Sequence, residues 1–196
     1  MKGCTRCALL FAVAALGVLA ARAAAPLTVV ELMQMLGAVQ SATARYVETR
    51  ESALLKSPLV LKGTLSYRRP DRLEKHVLAP YDERIIVEGG KLTLENSAQN
   101  RRKTVSVGAA PGLAALVESV RATRAGDLAA LERHYVLQVE GSREQWTLTL
   151  RPLASQVADY VTSITRSGSA GRIARITVLE AGGDRSVMEI TEDKSP

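Results

Sequence analysis

From Thr43 to Val107, and again from Tyr135 to Glu192, apolar residues recur at alternate positions, and short turns break the runs. Strand side chains point alternately to the two faces of a sheet, so this period is that of half-buried strands. In the stretch LVLKGTLSY, Leu59, Leu61, Gly63, Leu65 and Tyr67 share one face, while Val60, Lys62, Thr64 and Ser66 mostly take the other. Arg72–Leu78 reads as the return strand, followed by Glu83–Glu88. Gly89-Gly90 is a two-residue hairpin signal before Leu92–Leu94, and Arg101–Val107 is one more strand. Later strands are expected at Tyr135–Val139, at Trp146–Arg151 with Leu148 and Leu150 beside Trp146 on one face, and at Tyr160–Arg166, Arg172–Glu180 and Asp184–Glu192. Counted from Tyr46, about eleven strands follow one another, nearly all through connections short enough to make neighbours antiparallel.

Two segments depart from this period. Thr28 with Glu31 three residues on is a capping box, and Leu32, Met35, Leu36 and Val39 then form one helical stripe, widened by Val29 and Met33. Gly37 weakens that helix, so tertiary contact has to hold it. Pro111 suits a first helical turn, and Leu113, Leu116, Val117 and Val120 repeat the i, i+3, i+4, i+7 spacing. Gly126 ends or kinks this block, and Asp127 caps a short third helix through Leu128 and Leu131. The fold class is therefore mainly β (α+β): a strongly curved antiparallel half-barrel of about eleven strands, with about three helices as a lid. So many strands curl strongly or close, and apolar helix faces must cover something apolar. A curled sheet with helices across its mouth is a container.

The first 23 residues read as an export signal: Lys2 and Arg6, an apolar run from Ala8 to Ala20, and a small-x-small site at Ala21-Arg22-Ala23. Residues 24–196 then form one domain. Both cysteines, Cys4 and Cys7, precede the apolar run, so the exported chain has no thiol for disulfides, metal ligation or nucleophilic catalysis. Three of the 26 basic residues leave with the signal, against 20 acidic residues that stay, and net charge falls from +6 to +3. Scattered charge of that size, with no clustered basic patch and few aromatic platforms, argues against nucleic acid as a partner. His76 and His134 have no ligand spacing, and no G-x-S-x-G, H-E-x-x-H or P-loop occurs. Ser66 with His76 is the sole nucleophile–base pair to nominate, and loosely. Glu48 and Glu51, on opposite strand faces, read as solvated surface. No enzyme, metal or cofactor is expected, and the chain is expected to be a monomer.

These motifs in their order resemble the LolA family, periplasmic carriers of outer-membrane lipoproteins. The features are Tyr46-Val47-Glu48, a Gly-led strand from Gly63 to Arg69-Pro70, Pro80, Gly89-Gly90-Lys91-Leu92, the helix Leu113 to Val120, Trp146-Thr147-Leu148-Thr149-Leu150-Arg151-Pro152, and the turn Glu180 to Ser186. The family's usual last strand has no counterpart before Pro196, so the resemblance is to a divergent member. It implies a half-barrel under a helical lid, enclosing an apolar cavity for acyl chains. Arg69 takes the place of the arginine that braces the lid through hydrogen bonds. On this basis Leu32, Met33, Met35, Leu36, Leu113, Leu116, Val117 and Val120 are expected from the lid side of the cavity. Tyr46, Leu65, Tyr67, Arg69, Trp146 and Leu148 are expected from the sheet.

The implied function is non-enzymatic: a periplasmic carrier taking the acyl chains of a lipoprotein or other lipid from an inner-membrane donor to an outer-membrane acceptor. One long acyl chain left in water costs on the order of 10 kcal/mol, so such cargo needs a container. The alternative is a lipid-binding envelope sensor that acts through a protein partner.

Overall fold

The computed structural model describes residues 26–109 and 111–192; the expected signal segment lies outside them, as do the side chains of Pro111 and Leu113. Strand β1 (Ser41–Glu51) pairs along nearly its whole length with β2 (Leu59–Arg68) on one side and along Ala44–Glu51 with β11 (Arg185–Glu192) on the other. From β2 the sheet continues through β3 (Arg72–Ala79), β4 (Glu83–Glu88) and β5 (Lys91–Asn96) to β6 (Arg101–Ser106). From β11 it runs back through β10 (Arg172–Glu180), β9 (Val161–Ser169) and β8 (Trp146–Pro152) to β7 (Tyr135–Gly141). The result is one antiparallel, unclosed, curved sheet of eleven strands, with β6 and β7 as its two edges.

The strand bounds follow the alternation to within a few residues, and the tight turns carry the expected chemistry. Gly89 and Gly90 have φ of +58° and +69°, the pair of positive values that a type I′ hairpin requires. Helix α1 (Val29–Gly37) starts with the capping box: Glu31 N donates to Thr28 Oγ1 (3.2 Å) and Thr28 N to Glu31 Oε2 (3.0 Å). Helices α2 (Pro111–Ala125) and α3 (Leu128–Glu132) lie between β6 and β7, with Ala130 N donating to the Asp127 cap. A fourth helix, α4 (Ser155–Ala158), was not expected from sequence. It is one turn long and buries only Val157, too little to leave a periodic signal.

The helices pack on one half of the concave face. Leu32, Met33 and Leu36 of α1, Ala122 of α2 and Leu131 of α3 join Tyr135, Trp146, Leu148, Leu150 and Ile164 in the core. Tyr135 Oη donates to the Ala115 carbonyl (2.9 Å), tying α2 to β7, and Trp146 Nε1 donates to the Ala170 carbonyl (2.9 Å). Across the sheet, Leu65, Leu73, Ile85 and Val87 on β2–β4 share that face and are only half-buried.

The turn after α2 makes the helix contact possible. Gly126 has φ +71°, and a Cβ there would lie 2.5 Å from the Met33 carbonyl oxygen and 2.8 Å from Gly37 Cα. Gly126→Ala combines left-handed strain of roughly 1–2 kcal/mol with displacement of α1. Chemical denaturation is expected to show a loss of about 2 kcal/mol or more, whereas Gly182→Ala, in open space, stays within about 0.5 kcal/mol.

Candidate functional site: an apolar cavity beneath a helical lid

Because the concave face is the apolar phase of each strand, residues two apart on successive strands line up across it. Ala42 and Ala44 of β1, Leu65 and Tyr67 of β2, Leu73 of β3, Ile85 and Val87 of β4 and Leu92 of β5 form one wall. Met188 and Ile190 of β11 and Ile173 and Ile176 of β10 continue it, and Leu116, Val117 and Val120 of α2 close the top. They enclose about 330 Å³, within the range of ligand pockets at roughly 300–1,000 Å³.

Five of the residues expected at the cavity line it: Leu65, Tyr67, Leu116, Val117 and Val120. Leu32, Met33, Leu36, Trp146 and Leu148 lie instead in the core beneath the helices, and Met35 packs against that core. Tyr46 is buried in the floor with its ring under Lys75, whose Nζ lies 5.1 Å from the ring centre. Leu113 lies on α2 with its side chain outside the description. Arg69 does not reach the cavity; its Nη2 donates to the Ala125 carbonyl at the C-terminal end of α2 (3.0 Å). That carbonyl is one of the orphan acceptors a helix leaves at its end, so Arg69 joins the β2 corner to the lid.

Sequence reasoning missed the charges inside. Glu48, read as solvated surface, is 3% exposed, because it continues the inward phase of Ala44 and Tyr46. Its carboxylate accepts from Lys75 Nζ, from Arg50 Nε (2.8 Å) and from Ser186 Oγ (2.7 Å). Burial alone would raise its pKa, but the Lys75 ammonium and these donors outweigh burial and hold the carboxyl below its ordinary value. Burial likewise draws the Lys75 ammonium down, against the pull of Glu48. Two arginines also line the cavity, Arg124 from α2 and Arg166 from β9. Arg166 is 1% exposed, and burial pushes its pKa down to about 10. The signal for all of these was a charge in an apolar phase, such as Lys75 between Leu73 and Val77, or Arg166 two residues after Ile164. His76 projects from the opposite, convex face, where its Nε2 bonds Asp82 (2.8 Å). Among the described residues no cluster of His, Cys, Asp or Glu could hold a metal ion, and no helix is long and apolar enough to cross a membrane.

The described residues thus form an unclosed antiparallel sheet with an apolar chamber between its bare half and a helical lid. The chain belongs to the LolA-like outer membrane lipoprotein carrier protein family, whose model matches residues 20–188. Solved structures of similar fold include a LolA superfamily protein from Nitrosomonas europaea, at 12% identity and TM-score 0.45, covering 87% of this chain and 96% of that one. An outer membrane lipoprotein-sorting protein domain from Vibrio parahaemolyticus is similar at 9% identity and TM-score 0.44, covering 85% and 93%. The MucA/MucB complex of Pseudomonas aeruginosa contains a similar chain at 13% identity and TM-score 0.44, with 86% of this chain and 58% of that one covered. No curated protein sequence matches the chain.

Glu48 and Lys75 carry a pH signature. A carboxyl whose folded pKa lies below its unfolded value stabilises the fold fully above about 4.5 and loses that contribution as pH falls through the folded pKa. Glu48→Gln leaves Lys75 buried without its counter-charge, at an expected loss on the order of 3 kcal/mol at pH 7. Denaturation at a series of pH values should show the gap between wild type and variant narrowing below about 4.5. The double variant Glu48→Gln, Lys75→Met should recover most of the loss.

Proposed function

We propose that the protein is a non-enzymatic lipid carrier of the periplasm, shielding acyl chains between an inner-membrane donor and an outer-membrane acceptor. The observation that carries this reading is the 330 Å³ apolar cavity under a lid that rests on only half of the sheet. Each methylene moved from water into such a chamber gains about 0.8 kcal/mol, enough for a chain to be held without covalent chemistry. Release requires the lid to open at modest cost, and Arg69 supplies a joint of that kind. One exposed hydrogen bond to the Ala125 carbonyl contributes on the order of 1–2 kcal/mol. Membership in a family of lipoprotein carriers supports the reading, with either a lipoprotein or another acylated lipid as cargo. In this reading the chain is exported, and its mature domain begins at Ala24.

Native mass spectrometry of the protein taken from its own periplasm without detergent, with organic extraction of what copurifies, tests the proposal. The expected spectrum shows a polypeptide beginning at Ala24 with up to one equivalent of acylated lipid, reduced several-fold by Arg69→Leu. A lipid-free protein that also takes up no fluorescent fatty acid would overturn the carrier reading and leave the protein-partner sensor to be tested.

A further inference from the structure

Two of the charged residues that line the cavity are already satisfied. Lys75 is held by Glu48, and the Glu74 carboxylate is engaged by Arg72 (3.0 Å) and Arg84 (3.3 Å). Three donors are not. Arg166 Nη1, Arg124 Nη1 and Tyr67 Oη are each buried without a hydrogen-bond partner among the described residues, and all three belong to residues that line this one cavity. Arg166 uses Nη2 to donate to Ser119 Oγ (3.1 Å), and Ser119 in turn donates to the Leu116 carbonyl (2.7 Å), so the guanidinium is fixed in place. It makes no ion pair among the described residues. Arg124 has one loose acidic neighbour, Glu192 at 3.8 Å.

A buried guanidinium without a counter-ion destabilises a fold, and here a second cation lies near the first. Arg166 remains charged at neutral pH, because burial pushes its pKa down only to about 10. Such an arrangement fits an anion delivered from outside. Guanidinium groups pair carboxylate and phosphate oxygens through charge-assisted hydrogen bonds, and these strengthen where water is excluded.

We propose that Arg166, Arg124 and the Tyr67 hydroxyl form an anion subsite at the closed end of the cavity, and that the ligand is an acyl amphiphile with a carboxylate or phosphate head. The proposal rests on the carrier reading and adds head-group chemistry and orientation to it. The head enters first, towards β9 and the underside of α2, where Arg166 is sealed. The tail lies back over Leu65, Leu73, Ile85 and Val87, towards the half of the sheet that the helices leave bare. A neutral alcohol or glyceride of the same length offers only uncharged acceptor oxygens and would leave both guanidinium groups without a counter-charge.

Equilibrium dialysis of the delipidated protein at sub-micellar concentration would compare radiolabelled palmitate, hexadecyl phosphate and hexadecanol, with inorganic phosphate as the chainless control. Palmitate and hexadecyl phosphate are expected to bind at least tenfold more tightly than hexadecanol, with no binding of inorganic phosphate in the same range. Arg166→Met should bring the two acids down to the affinity of hexadecanol, leave hexadecanol unchanged and raise the Tm of the lipid-free protein. Arg124→Met should lose part of the preference, and it carries the test alone should Arg166→Met fail to fold. Equal affinity for acid and alcohol in the wild type would overturn the anion subsite while leaving the carrier reading intact. Retention of the preference in a folded Arg166→Met protein would also overturn the assignment. Inorganic phosphate binding as tightly as hexadecyl phosphate would make the subsite one for a free anion and overturn the amphiphile. Failure of all three long-chain probes to bind would overturn both readings.

Discussion

Pairing of β1 with β11 in the middle of the sheet is the contact on which the remaining architecture depends. Without it, the chain is two separate meanders, β1–β6 and β7–β11, each with a sticky edge. With it they become one eleven-stranded sheet whose edges, β6 and β7, are consecutive in sequence. The segment joining those two edges therefore has to travel from one rim to the other. That segment is α2 with α3, and their apolar residues turn the crossing into a lid. A covered apolar cavity follows from a topological necessity together with one helical stripe.

The lid does not divide its attention evenly. Tyr135, Trp146 and the core beneath α1–α3 anchor the helices to the β7–β10 half, while Leu65, Leu73, Ile85 and Val87 on the inward face of β2–β4 stay half-buried. Stability and capacity are thus assigned to different halves of one sheet. The charges follow the same division of labour. Glu48 and Lys75 neutralise each other in the floor, whereas Arg166 and Arg124 retain donors that no neighbour among the described residues answers. Arg124 also immediately precedes Ala125, whose carbonyl receives Arg69. The proposed head-group subsite and the hydrogen bond from Arg69 to the lid occupy adjacent positions at one helix end.

Much of this was legible in the chain. Period-two alternation located all eleven strands, the glycine pair at 89–90 specified its turn, and the Thr28–Glu31 box specified the start of α1, because each signal is local and its physics acts over a few residues. The single turn of α4 escaped, since one buried valine makes no period. In the candidate site, Leu65, Tyr67 and the α2 residues Leu116, Val117 and Val120 could be named in advance. Leu32, Leu36, Trp146 and Leu148 could be named as apolar and inward, but inward faces here serve two purposes, core and cavity. Alternation cannot tell them apart.

By itself, the sequence determined which residues face inward, where each strand turns, and that helices interrupt the sheet between the two strand-rich segments. Those properties arise from side-chain alternation, turn conformations and helical periodicity, all encoded within a few neighbouring positions. Only the tertiary structure decided which half of the concave face the helices would cover, and hence which inward residues became core and which became wall. It alone placed Arg166 opposite Ser119 and Tyr67 near Arg124, residues 47 and 57 positions apart in the chain. Solvation of a charge depends on what surrounds it in space. No local pattern reveals whether an inward arginine meets a carboxylate or an empty stretch of apolar wall.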